Sequence, residues 1–209
     1  MDKKKDIYTY EVGDGIYINL TNRCSNACDF CVRTVKEDYY ADGGLWLQKE
    51  PSAEEVLAEL AERGLSHYKS LVFCGFGEPT ERMDTLLEVA KGVRSMAPSL
   101  PIRLNTNGQA RLICAASGFD PLPKMQGLID TLSISLNAPT AEEYQRICHC
   151  RYGEAGFQAM LDFAKDARQY VPEVVLSVVN ESLSPDKIEQ CRTLAASIGV
   201  RLRVREMIR

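Results

Sequence analysis

Cys24, Cys28 and Cys31 lie on one short stretch, Thr21-Asn22-Arg23-Cys24-Ser25-Asn26-Ala27-Cys28-Asp29-Phe30-Cys31, directly after the strand-like run at residues 16–20. The spacing is C-x3-C-x2-C. Thiolates are soft, charge-donating ligands that suit iron–sulfur clusters. A four-iron cubane needs four ligands, so three thiolates leave one iron open to a group that is not protein. An open iron beside a cavity means chemistry, whereas a closed site is a staple. The same thiols with a fourth ligand would make a zinc site. The two histidines, His67 and His149, both lie far from the triad in sequence.

The rest of the chain reads as the scaffold for this loop. Residues 7–12 and 16–20 flank Gly13-Asp14-Gly15, a hairpin signal. Short apolar strands then alternate with helices. Strands are expected at 71–74, 102–106, within 128–136, at 174–179 and at 200–206. Ser52-Ala53-Glu54-Glu55 is a capping box leading into Val56, Leu57, Leu60 and Ala61 at helical spacing. Leu86, Val89, Ala90 and Val93 mark the next helix, and Thr140 with Glu143 forms a second capping box. Phe157, Met160, Leu161 and Ala164 mark a long helix. Ser184-Pro185 opens another, which Gly199 ends. The order predicts an α/β chain with six parallel strands joined by right-handed crossovers, a partial (β/α)6 TIM-like barrel in one domain. Eight units would close a barrel; six leave one side open. Within residues 1–209 we expect an N-terminal hairpin at 6–20, a cluster loop at 21–34 and a lid at 34–51, where Tyr39, Tyr40 and Trp46 cluster.

Side-chain alternation gives those strands two faces. Ile102, Leu104 and Thr106 oppose Arg103, Asn105 and Asn107. Leu132, Ile134 and Leu136 oppose Ser133, Ser135 and Asn137, and Leu202 and Val204 oppose Arg201, Arg203 and Arg205. The apolar face must bury against helices, so the polar sets should line the lumen. A lumen of Asn, Ser and Arg predicts a polar, anionic substrate with Arg103, Arg203 and Arg205 as candidate contacts. Alternatively, the last strand is an exposed edge whose arginines keep it soluble.

With 209 residues and 45% hydrophobic content, the chain can bury one sizeable core. No apolar stretch has bilayer length. The charged start carries no signal-peptide pattern, so a cytoplasmic protein is expected. The net charge of −4 gives no global reason to bind nucleic acid. Of the eight cysteines, Cys74, Cys114 and Cys191 sit in apolar contexts and read as small buried hydrophobes. Cys148-His149-Cys150 is too tight to hold one ion and reads as free thiols at a helix end.

The triad, with Phe30 before its last cysteine, resembles the signature of the radical S-adenosylmethionine (SAM) superfamily. Phe73-Cys74-Gly75-Phe76-Gly77-Glu78-Pro79 resembles that superfamily's Gly-Gly-Glu-Pro strand end. Residues 104–108 and 132–139 resemble its third and fourth strands. The short length and Tyr17-Ile18-Asn19-Leu20-Thr21-Asn22-Arg23-Cys24 look most like TatD-associated radical SAM proteins, which would imply a link to a TatD-type nuclease. The resemblance implies one [4Fe–4S] cluster on Cys24, Cys28 and Cys31, whose open iron takes the amino and carboxylate groups of SAM. An electron from a flavodoxin- or ferredoxin-like donor would then yield a 5′-deoxyadenosyl radical that abstracts hydrogen from a small polar, nucleotide-like substrate. It also implies that Phe30 packs on adenine and that Gly75, Gly77 and Pro79 shape the backbone near the cofactor. Glu78 would accept from the methionine ammonium group. Asn107, Ser135 and Asn137 sit at strand ends where ribose or carboxylate would lie. Two other readings stay open: an activase that makes a glycyl radical on a partner protein, and a zinc-bound, non-catalytic adaptor of a nuclease.

Overall fold

Gly13, at φ 61°, turns the chain between β1 (Thr9–Val12) and β2 (Gly15–Ile18), which pair antiparallel as the hairpin signal predicts. The computed structural model describes residues 6–36, 38–40 and 44–207. After the hairpin come α1 (Val32–Val35), α2 (Ala53–Arg63), β3 (Ser70–Phe73), α3 (Met83–Met96), β4 (Ile102–Thr106), α4 (Ala110–Cys114), α5 (Leu122–Met125), β5 (Thr131–Ser135), α6 (Ala141–Cys148), α7 (Ala155–Ala167), β6 (Glu173–Val179), α8 (Pro185–Ser197) and β7 (Arg201–Arg205). The sheet runs β1-β2-β3-β4-β5-β6-β7, with every pair after the hairpin parallel. β1 and β7 do not meet, so this is a partial TIM-like barrel, as the strand count predicts. Between β4 and β5 the crossover uses two short helices instead of one long one.

Period-two alternation sorts the side chains. Ile16, Ile18, Leu71, Phe73, Ile102, Leu104, Leu132, Ile134, Leu176 and Val178 point outward into the main core, where α2, α3 and α7 cover them. At about 25 cal/mol per Å² of apolar surface, this outer layer is the main stabilising term. The alternate positions, from Tyr17 through Arg103, Asn105, Ser133 and Ser177 to Arg203, face the lumen. Ser52 and Glu55 form a complete capping box at α2. The second expected box closes only halfway. Thr140 caps Glu143 N at 3.3 Å, but the Glu143 carboxylate pairs with Lys187 on α8 instead of turning back. A helix-to-helix ion pair outcompetes the local return contact.

Candidate active site

The cysteine loop leaves β2 and lies along residues 147–151 at the end of α6. Ala27 N donates to Cys148 O at 2.9 Å, Asp29 N to Ile147 O at 3.0 Å, and Arg151 N to Ser25 O at 2.8 Å. Arg33 spans the loop from inside, donating to Asn22 O and Asn26 O. Glu50 anchors its start through Thr21, Arg23 and Arg82. Beneath it, Ser25 Oγ donates to Gln109 Oε1 at 2.7 Å, and Gln109 Nε2 donates to Asn26 Oδ1 at 3.1 Å and to the Tyr144 hydroxyl at 2.9 Å. Asn107 Nδ2 donates to Ser25 Oγ at 2.8 Å. The loop is therefore preorganised by protein contacts alone.

Cys24, Cys28 and Cys31 line one cavity of about 240 Å³ at the carboxyl ends of the strands, where ligands bind in this architecture. Phe30, Gly75, Gly77, Glu78, Pro79, Asn107, Ser135 and Asn137 line the same cavity, with Arg203 and Arg205 on its β7 side. Arg103 is the exception among the sequence-derived residues. It does not line this cavity, and its guanidinium donates to the Tyr17 hydroxyl at 3.3 Å. Cys74 departs from the buried-hydrophobe expectation, because its strand phase turns it inward onto the cavity wall. Cys114 and Cys191 are buried as expected.

Gly75 and Gly77 line the cavity and also leave room for packing within the protein. A Cβ on Gly75 would collide with the Asn19 side chain. One on Gly77 would strike the backbone oxygens of Thr21 and Arg23. Gly75 thus admits Asn19, just after β2, and Gly77 admits the start of the cysteine loop against the end of β3. Glu78 is buried: its Oε1 accepts from Thr80 N, Thr80 Oγ1 and Thr106 Oγ1, and its Oε2 from Asn107 N at 2.7 Å. Burial raises its pKa against the pull of these donors. Oε2 has a single partner and keeps an acceptor site toward the cavity. Asn137, held at φ 61°, leaves its buried Oδ1 without a partner.

Burial pushes the Cys24 thiol up to about 12. A hydrogen bond with the Cys148 thiol, followed by burial, raises Cys28, and burial raises Cys31. Thiols held protonated in this way become ligands only when a metal displaces the proton. Cys148 thus sits against a ligand candidate, a proximity no local pattern signals. Of its two neighbours, Cys150 accepts from Gln109 Nε2 at 3.2 Å and exposed His149 pairs with Asp29 at 2.7 Å. Trp46 packs edge-on against Phe76 and Tyr40 against Tyr10, along the hairpin side. Neither lines the cavity, and residues 37 and 41–43 of the expected lid lie outside the described residues.

The profile of the Radical SAM superfamily matches residues 18–195. The chain belongs to that superfamily. It is therefore a radical SAM enzyme, and the cofactors of the fold are a [4Fe–4S] cluster and SAM. The donor set fits the cluster. Its three thiols, soft ligands from one loop, face one cavity. The chain is 28% identical over 194 residues to a probable RNA methyltransferase of Sorangium cellulosum, covering 87% of this chain and 44% of that protein. It is 30% identical over 131 residues to another from Dechloromonas aromatica, covering 62% of this chain and 32% of that one. It thus spans less than half the length of these curated relatives. In fold it matches Streptococcus suis SuiB bound to precursor peptide SuiA (TM-score 0.67, 16% identity, 92% of this chain, 39% of that one). A Sphaerobacter thermophilus radical SAM methyltransferase matches with TM-score 0.63 and 15% identity over 94% of this chain and 57% of that one. Among the described residues of this radical SAM core, no helix is long and apolar enough to cross a membrane.

Proposed function

We propose that this protein holds one [4Fe–4S] cluster through Cys24, Cys28 and Cys31 and acts on a small, polar, anionic substrate in its lumen. When bound, the cluster and SAM would supply one-electron radical chemistry, with a flavodoxin- or ferredoxin-like protein as the electron donor. The residues supply position. Asn26 N and Asn107 Nδ2 face Cys24 Sγ at 3.4 and 4.0 Å and steady that ligand. Glu78 Oε2 would accept from the ammonium group of SAM and Asn137 Oδ1 would take a donor from it, while Phe30 would offer a face to adenine, Gly75 to Pro79 would form the wall beside it and Ser135 would hold the ribose.

The observation that carries this reading is the single cavity shared by three thiols, a buried carboxylate with a spare acceptor site, and a polar lumen. The test is anaerobic reconstitution followed by dithionite and SAM. We expect about four irons per chain and release of 5′-deoxyadenosine. Equal release from a Cys24→Ala, Cys28→Ala, Cys31→Ala triple variant would sink the proposal. The names of the curated relatives favour a second reading, methyl transfer to RNA. Labelled methyl from SAM appearing in added RNA would move the assignment there. The link to a TatD-type nuclease rests on the sequence resemblance alone.

A further inference from the structure

The lumen carries cations that form no ion pair among the described residues, although the Glu173 carboxylate lies close enough to Arg203 to feel its charge. Arg201 is paired with Glu173 at 2.5 Å, at the lower end of the strands. Arg103, Arg203 and Arg205 have no carboxylate partner among the described residues. Arg203 donates to Ser133 Oγ at 3.0 Å and Arg103 to the Tyr17 hydroxyl at 3.3 Å. Neutral hydroxyls hold these guanidinium groups in place without cancelling charge. Arg103 Nε, Arg203 Nε and Asn105 Oδ1 are buried and have no partner. Burial, then the charges of Arg103 and Arg205, lowers the pKa of Arg203, and burial lowers that of Arg205. Cations desolvated beside one another are unfavourable until a counter-charge arrives. Arg203 and Arg205 line the cavity from β7, and Arg103 stands on β4 just outside its lining.

Resting on the enzyme reading above, we propose that the lower lumen is a phosphate subsite that takes the phosphate monoester of the substrate. Arg203 and Arg205 grip the phosphate oxygens, Arg103 adds charge from beneath, and Ser133 and Ser177 line the same wall. Guanidinium groups match oxyanions through several donors at once. Three cations without an ion pair and two unused Nε–H donors suit a dianion with three oxygens better than a carboxylate with one charge and two. Asn105 Oδ1, an acceptor, suits a hydroxyl on the remainder of the molecule. This places the reacting carbon of the substrate above the phosphate, on the side of the cysteine loop.

The test uses the anaerobically reconstituted full chain, titrated calorimetrically in chloride buffer with inorganic phosphate and separately with acetate. Phosphate should bind at least tenfold more tightly than acetate. Arg203→Gln and Arg103→Gln should each weaken phosphate at least tenfold, and Arg203→Lys should lose less than Arg203→Gln. Affinity for SAM should stay within threefold in all three variants. Phosphate that fails to bind the parent protein, or binds Arg203→Gln equally well, overturns the subsite. Tighter acetate than phosphate overturns the phosphate assignment. A parallel loss of SAM affinity in the variants assigns the arginines to the cofactor and overturns it too. Intact phosphate binding in a parent protein that binds no SAM counts against the enzyme reading and leaves the subsite standing.

Discussion

Beneath the cysteine loop, Gln109 exchanges hydrogen bonds with Ser25, Asn26, Tyr144 and Cys150. Across the sheet in the lumen, Arg203 and Arg103 each leave a buried Nε without an acceptor. Both regions are polar and enclosed, and Asn26 of the first and Arg203 of the second line the same cavity. The difference is satisfaction. A fully answered polar network rigidifies and selects one geometry, as a loop that must present three thiols requires. An unanswered one costs stability in the empty protein and recovers it only when a partner enters. Where the groups are paired, the residues build the site; where they are unpaired, they face something that comes from outside.

The strongest way to break this comparison is at the junction of loop and sheet. In Gly77→Ala, a new Cβ would sit 2.6 Å from Arg23 O and closer still to Thr21 O, both backbone atoms that cannot swing aside. The loop must lift, and the bond from Glu78 N to Arg23 O at 2.8 Å must stretch. Overpacking of this kind costs about 3 kcal/mol, a drop of roughly 6–12 °C in Tm for a chain of this size. Iron content after reconstitution should fall below half the parent value. A variant that melts within about 2 °C of the parent and loads iron normally would show that the loop is not seated by this contact.

Gln109→Leu tests the network itself with a smaller loss. The change removes an acceptor from Ser25 Oγ and a donor from Asn26 Oδ1, while Asn26 and Tyr144 keep their own bond at 2.8 Å. One or two buried groups left unmatched cost about 2 kcal/mol. Hydrogen exchange should quicken at Ala27 and Asp29, whose amides bond to the 147–148 backbone. Unchanged exchange there would mean that the backbone contacts alone hold the loop and that Gln109 is a bystander.

Much of this architecture is legible in the residues. Alternation along residues 102–107 and 132–137 separates core from lumen because one face has helices to meet and the other has none; along 201–205 it holds only in part, because Val204 is exposed on the edge strand. The thiol triad names its loop because three soft ligands within eight residues have few other uses. The supports are harder to see. Ser25, Asn26, Gln109 and Tyr144 are scattered across the chain, and each alone reads as an ordinary polar residue; only folding brings them together. Cys74 misleads because the inward positions, Val72 of β3 and Cys74 just after it, are as apolar as their outward neighbours, so composition conceals which side they face. Gly75 and Gly77 advertise close approach without saying what approaches, and within the protein it is Asn19 for the first and the start of the cysteine loop for the second. Cys148 reaches Cys28 across more than a hundred residues, a contact that no local pattern can carry.

Arg203→Gln should produce the smallest change in stability, and it decides the comparison because its sign is informative. The substitution removes one bond to Ser133 Oγ, worth about 1 kcal/mol. It also removes a desolvated cation beside Arg103 and Arg205, a repulsion of the same order at an effective dielectric near that of protein surfaces. The two nearly cancel, so urea unfolding in phosphate-free buffer should place the variant within about 1 kcal/mol of the parent. Added phosphate should then raise the midpoint of the parent and leave the variant unmoved, since a ligand stabilises only the folded form that binds it. A loss as large as that expected for Gln109→Leu, with no phosphate, would mean that Arg203 is structural. The lumen would then be another self-satisfied network, and the distinction between the two regions would fail.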